Sequence, residues 1–166
     1  MPSTYEKIAT TTLATASTII TFSSIPNTFT DLIVVGKSNQ TTGGAASFWM
    51  RFNGDSANNY GLIRLYYNGT GSPGTDSSNS NSGYAGIIDS GSIDDGSTFE
   101  YQIYDYSNTT TYKTSVCRTD NGSSGVYQSV YAHLWLNTAA INSITIEASN
   151  SMVVGTSFTI YGIKAA

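Results

Sequence analysis

Apolar and polar residues alternate with a period close to two along most of this chain, and short clusters of Gly, Asn, Asp, Ser or Pro interrupt the alternation at brief intervals. That pattern predicts about eleven β-strands, over residues 5–12, 17–23, 32–35, 48–52, 62–67, 84–88, 98–106, 112–118, 126–136, 141–147 and 157–163. Leu32-Ile33-Val34-Val35 is continuously apolar, the signature of a strand buried on both faces. Phe48, Met50 and Phe52 share one face of their strand and are expected to point inward, with Trp49 and Arg51 opposite. Phe99, Tyr101 and Ile103 likewise oppose Glu100, Gln102 and Tyr104. In the longest candidate, Val126, Val130, Ala132, Leu134 and Leu136 alternate with Tyr127, Tyr131, His133 and Trp135, which predicts a strand covered on both sides. Pro26-Asn27, Asn53-Gly54-Asp55, the stretch from Ser107 to Thr111, and Asp120-Asn121-Gly122 read as turns. The polar run from Asn68 to Ser82 predicts an exposed loop, and Asp89 to Gly96 another connection. A 3.6 period is hinted at only near Thr138 to Ile141.

Strands at such spacing without intervening helices predict an all-β protein. The expected form is an antiparallel β-sandwich, jelly-roll-like, in a single domain over residues 1–166. Composition agrees. Only 11% of residues are charged, too few to build the polar faces of amphipathic helices, and Ser, Thr, Asn and Gly supply the polarity. With 39% hydrophobic and 12% aromatic residues the chain has ample surface to bury, so it is expected to fold. Sheet edges carry unpaired N–H and C=O groups. A chain with few charges to guard them favours covering them with a partner subunit.

Charge and motifs narrow the function. A formal net charge of −4 with seven scattered cations argues against nucleic acid as a partner. No run approaches the length of a membrane span, so no membrane partner is expected, and the N-terminal stretch lacks the basic start of a signal peptide. The lone Cys117 and the absence of Cys/His clusters predict no disulfide, no zinc and no cofactor. His133 is the one histidine and no nucleophile motif accompanies it, so catalysis is not expected. Cys117 with His133 as a nucleophile pair, and Glu100, Asp105 or Asp55 as paired carboxylates, are weighed and set aside in favour of packing and turn roles. Asp55, Asp89, Asp94 and Asp95 invite a calcium reading, but turn-forming side-chain bonds explain them equally, and no metal site is assigned. Tyrosines in strands supply flat apolar faces for a partner or a sugar. Tyr66, Tyr67, Tyr84, Tyr106, Tyr131 and Trp135 are the candidate interface or glycan contacts.

Several segments add a resemblance. Met1 to Ala9 (MPSTYEKIA), Phe22-Ser23-Ser24-Ile25, Thr30-Asp31-Leu32 and Arg51-Phe52-Asn53-Gly54-Asp55 are similar to small virion structural proteins of tailed bacteriophages, familiar from phages of aquatic bacteria including cyanobacteria. The likeness continues through Tyr106 to Thr114, Ala140 to Thr145 and Thr159 to Ala166, and so covers nearly the whole chain. It implies a virion structural role and carries over no catalytic residue. Related segments also end longer tail-fibre-like chains. A fibre needs a shaft, a coiled coil or a long repetitive β-structure, and this chain has neither. The expectation is therefore a capsid decoration or cement protein on the head, a homotrimer bound to the major capsid protein. The alternative is a tail-fibre or tail-tip module held by an adaptor, which contacts a host glycan.

Overall fold

The computed structural model describes residues 4–41, 46–67, 74–88, 96–120 and 128–164, with the backbone alone at 76–79 and 84–88. These residues form β1 (Tyr5–Thr12), β2 (Ser17–Phe22), β3 (Asp31–Ser38), β4 (Ala46–Phe52), β5 (Tyr60–Tyr67), β6 (Gly74–Ser80), β7 (Gly83–Ile88), β8 (Ser97–Ile103), β9 (Lys113–Asp120), β10 (Gln128–Trp135), β11 (Ile144–Met152) and β12 (Ser157–Ile163). No helix occurs among them. Every pairing is antiparallel, in one large sheet ordered β1-β12-β3-β8-β9-β10-β5-β6 and one small sheet ordered β2-β11-β4-β7. The two sheets make a β-sandwich, as the alternation predicts.

Part of the pairing is nested. β1 pairs β12, β2 pairs β11, β3 pairs β8 and β4 pairs β7, so the two halves of the chain run back along each other as one folded ribbon. The hairpins β5–β6 and β9–β10 stand outside this nest and extend the large sheet beyond β8, joined by the β10–β5 ladder. β7 packs against this extension, touching β5, β8, β9 and β10.

The inward sets fill the space between the sheets. Phe48, Met50 and Phe52 are buried, as are Phe99, Tyr101 and Ile103. Phe48, Phe99 and Phe158 form one aromatic nest with ring centroids 4.7, 5.0 and 5.7 Å apart. Phe52, Tyr60 and Trp135 form another at 5.5, 6.1 and 6.4 Å. Gly36 lies directly beneath Phe158, where an added Cβ would come within 2.0 Å of the ring. In β3, Leu32 and Val34 are fully buried, Ile33 nearly so and Val35 half-buried.

Three expectations need correction. The polar run from Asn68 to Ser82 contains strand β6, which pairs with β5 from Tyr66↔Gly74 to Tyr60↔Ser80. A ladder is made by backbone groups, so an edge strand needs no apolar alternation; residues 68–73 lie outside the described residues. β10 is covered on one side only: Tyr131, His133 and Trp135 are buried, while Val130 is 44% exposed on the opposite face. No second layer lies over that face among the described residues. Near Thr138 there is no helical turn, because the Asn137 Oδ1 accepts the Ala139 N–H at 2.9 Å and bends the chain locally. Most of the Asp89–Gly96 connection and the Asn121-Gly122 reversal lie outside the described residues.

Candidate functional site

The six residues singled out from the sequence separate into distinct environments. Tyr106, Tyr131 and Trp135 are buried within the chain itself. The Tyr106 hydroxyl donates to the Pro26 carbonyl, and the Trp135 indole N–H donates to Asp55 Oδ2 at 2.8 Å. These three are core residues, which corrects their reading as partner contacts. A strand with a second sheet on one side gains most by turning its large aromatic surface that way. The side chain of Tyr84 lies outside the described residues. Tyr66 and Tyr67 are neighbours in β5 and so point to opposite faces. Tyr66 shares the face of Tyr60; the Arg64 guanidinium sits 4.0 Å from its ring centroid, and its ring covers Gly74, where a Cβ would come within 2.3 Å. Tyr67 is on the outer face and 39% exposed.

Among the described residues, those weighed for chemistry are not assembled into a site. His133 is buried and stacked between Tyr101 and Tyr131, with centroids at 5.3 and 5.7 Å. Cys117 is buried, and burial pushes its thiol far above the ordinary range, the opposite of an activated thiolate. Burial alone would raise the Asp55 carboxyl, but hydrogen bonds from Asn59, Trp135 and the Ala57 N–H outweigh it and hold the group below its ordinary value. Glu100 lies on the outer face of β8, Asp55 in the β4–β5 turn and Asp105 in the turn after β8, bonded to Asn108 at 2.8 Å. Asp89, Asp94 and Asp95 lie outside the described residues. Among the described residues no group of three His, Cys, Asp or Glu side chains converges.

The feature that does assemble is on the outer face of the large sheet. Antiparallel register aligns Val35, Glu100, Arg118, Val130 and Leu65 in a row across β3, β8, β9, β10 and β5. Two residues further along the strands, Asp120, Gln128 and Tyr67 are aligned in a second row. Thr98 joins that row by donating its N–H and hydroxyl to Asp120 Oδ1 at 3.0 and 2.9 Å. Between the rows lies a cavity of about 670 Å³, lined by these side chains and by the intervening Gly36, Phe99, Thr119, Ser129 and Tyr66. The intervening residues turn their side chains to the other face, so the floor is strand backbone. Volumes of ~300–1,000 Å³ are typical of small-molecule sites.

Chemically the groove is mixed. Leu65 is 53% and Val130 44% exposed at one end, beside Tyr67, with Ile63 at 65% next along β5. The middle carries the Arg118–Glu100 ion pair, which is open to solvent and raises Arg118 above its ordinary value. Such an exposed pair contributes little to stability, leaving its polar atoms accessible to a ligand. Of the residues lining the groove, the sequence points to Tyr67 and Tyr66 for contact, and Tyr66 lends only its backbone there because its ring turns to the inner face. Leu65, Val130, Arg118, Asp120 and Gln128 were missed, and the signal that would have found them is the strand pairing, which no single strand contains.

Comparison with family models, with curated proteins and with solved structures finds no match to this chain.

Proposed function

We propose that the chain is a bacteriophage virion structural protein, a homotrimeric capsid decoration or cement protein on the head that works by cohesion rather than by a chemical step. The resemblance of nearly the whole chain to small phage virion proteins supports this reading. So does the nested pairing. With the two hairpins set aside, four strands remain in each sheet, ordered β1-β12-β3-β8 against β2-β11-β4-β7, an order that supports the jelly-roll reading. The one histidine and the one cysteine are core residues, which fits a molecule whose surface carries the function.

The observation that carries the proposal is the chemistry of two of the four sheet edges; the other two are guarded, β1 by Glu6, Lys7 and a bulge and β7 by a bulge in its ladder with β4. β2, at the edge of the small sheet, reads Ser-Thr-Ile-Ile-Thr-Phe with no charge and no proline. β6, at the edge of the large sheet, has a single aspartate among small polar residues. Isolated monomers guard such edges with Lys, Pro or bulges, because unguarded backbone recruits further strands. Closed cyclic symmetry buries them instead, and three linked copies turn modest contacts with a capsid lattice into firm attachment by avidity.

Imaging of intact particles with copies counted per virion tests the position. Hundreds of copies on the shell are expected; a handful at the tail would replace the head by the tail tip. Particles stripped of the protein should lose resistance to heat or salt and regain it on add-back, and unchanged particles would overturn the cement role. Sedimentation of the purified chain should report a trimer, and a monomer at micromolar concentration would overturn the oligomer.

A further inference from the structure

The groove on the outer face of the large sheet selects among ligand classes by three properties. Its floor is backbone already committed to the ladders among β3, β8, β9, β10 and β5, so a peptide cannot add as a further strand there and must be held by side chains alone. Its charges nearly balance rather than cluster: Arg118 is paired with Glu100, Lys37 lies opposite Thr98 in the β3–β8 register, and Asp120 Oδ1 accepts two hydrogen bonds from that same Thr98. A phosphate-bearing ligand finds no free cluster of cations and a polycation no acidic field. Finally, apolar and hydrogen-bonding groups lie side by side along its length. Tyr67, Leu65, Val130 and the Gln128 amide form one end, the Arg118–Glu100 pair and Asp120 the middle, and Val35 the far end.

A flat second copy of this chain is a poor occupant. Sheet-on-sheet packing would strip water from the Arg118–Glu100 pair and from Asp120 and Gln128 without returning hydrogen bonds, a cost that buried ion pairs rarely recover. A sugar differs in that each ring has C–H faces to lay on Tyr67 or Leu65 and hydroxyls that both donate and accept around its rim. Five strands at ~4.8 Å spacing make the groove about 19 Å long, enough for several linked rings rather than one. We infer that the groove between Val35 and Tyr67 binds a stretch of neutral oligosaccharide chain, as part of a surface glycan. This activity goes beyond the virion role and does not depend on where on the particle the protein sits.

The test is an NMR titration of the full chain with maltotriose, cellotriose, triacetylchitotriose and mannotriose, each beside its monosaccharide. Saturable shifts at Val35, Leu65, Arg118 and Gln128 are expected with at least one trisaccharide, which should bind more tightly than its monosaccharide. Tyr67→Ala should weaken binding about tenfold, the scale of one lost aromatic contact, while Tyr67→Phe stays within about twofold because the ring face is kept. Tyr67 is exposed, so both variants should melt like the parent. Failure of all four trisaccharides to give saturable shifts would overturn the inference. So would binding that survives Tyr67→Ala combined with Gln128→Ala, or self-association abolished by Leu65→Glu, which would make the face an interface between copies. The titration uses purified protein and the copy count uses whole particles, so failure of one reading is distinguishable from failure of the other.

Discussion

Asp55 accepts hydrogen bonds from the Ala57 N–H at 3.0 Å, the Asn59 amide at 2.9 Å and the Trp135 indole at 2.8 Å, and so ties the β4–β5 turn to the core. Asn53 and Gly54 take φ of 53° and 69° in that turn, a left-handed pair that Asn-Gly tolerates and most residues resist. Asp55→Ala would leave the buried Trp135 N–H without its acceptor and should cost about 2 kcal/mol in urea unfolding, within the usual range for an orphaned donor. The same residue sets a pH dependence. Its folded-state pKa lies below the ordinary value, so its contribution is present above about pH 4 and is lost as the pH falls through the depressed folded value. Melting temperature measured across that acid window should fall more steeply for the parent than for Asp55→Asn. Gly36 presents the opposite constraint, one of space. A Cβ 2.0 Å from Phe158, whose ring is locked against Phe48 and Phe99, cannot be accommodated by a small shift. Gly36→Ala should destabilise by about 2 kcal/mol or more through overpacking, read by the same unfolding experiment.

At the scale of the element, β5 shows how one position reverses a residue's role. Tyr66 covers Gly74 under the Arg64 guanidinium, and Tyr66→Ala should cost about 1–2 kcal/mol from lost burial and cation–π contact. Tyr67→Ala, one residue on, should change stability by less than about 0.5 kcal/mol. The alternation made this opposition legible in the sequence, but not which of the two tyrosines faces out. β6 was invisible for a related reason. Its Gly-Thr-Asp-Ser-Ser-Asn-Ser run has no apolar period, and it is a strand only because β5 offers a partner. On β2, Ile19 is 48% exposed on an edge strand that has neither charge nor proline. Ile19→Lys should convert the proposed trimer to monomers in sedimentation while leaving a cooperative melt, since a charge on an edge strand blocks pairing without disturbing the core.

For the molecule as a whole, the nested ladders join the chain's two ends: Tyr5 pairs Ile163 and Thr12 pairs Ser157. Contacts this distant in sequence are closed late and slowly, so folding in the millisecond-to-second range is expected by stopped flow. The same topology makes β12 indispensable. It lies between β1 and β3 and buries Phe158 and Ile160, so deletion of Ser157–Ile163 should abolish cooperative unfolding, whereas an accessory tail could be lost without consequence.

What the amino-acid order determined alone is local. The period-two pattern, together with one continuously apolar run at β3, marked eleven of the twelve strands, and it set Phe48, Met50 and Phe52 inward, because side-chain alternation is a property of each strand's own backbone. Only the tertiary structure decided which strands are neighbours, that one face of β10 is left uncovered by the described residues, and that Val35, Glu100, Arg118, Val130 and Leu65 share a row. Those facts follow from the register of ladders between distant segments, and a slip of one residue in any ladder would move its half of the groove to the other face of the sheet.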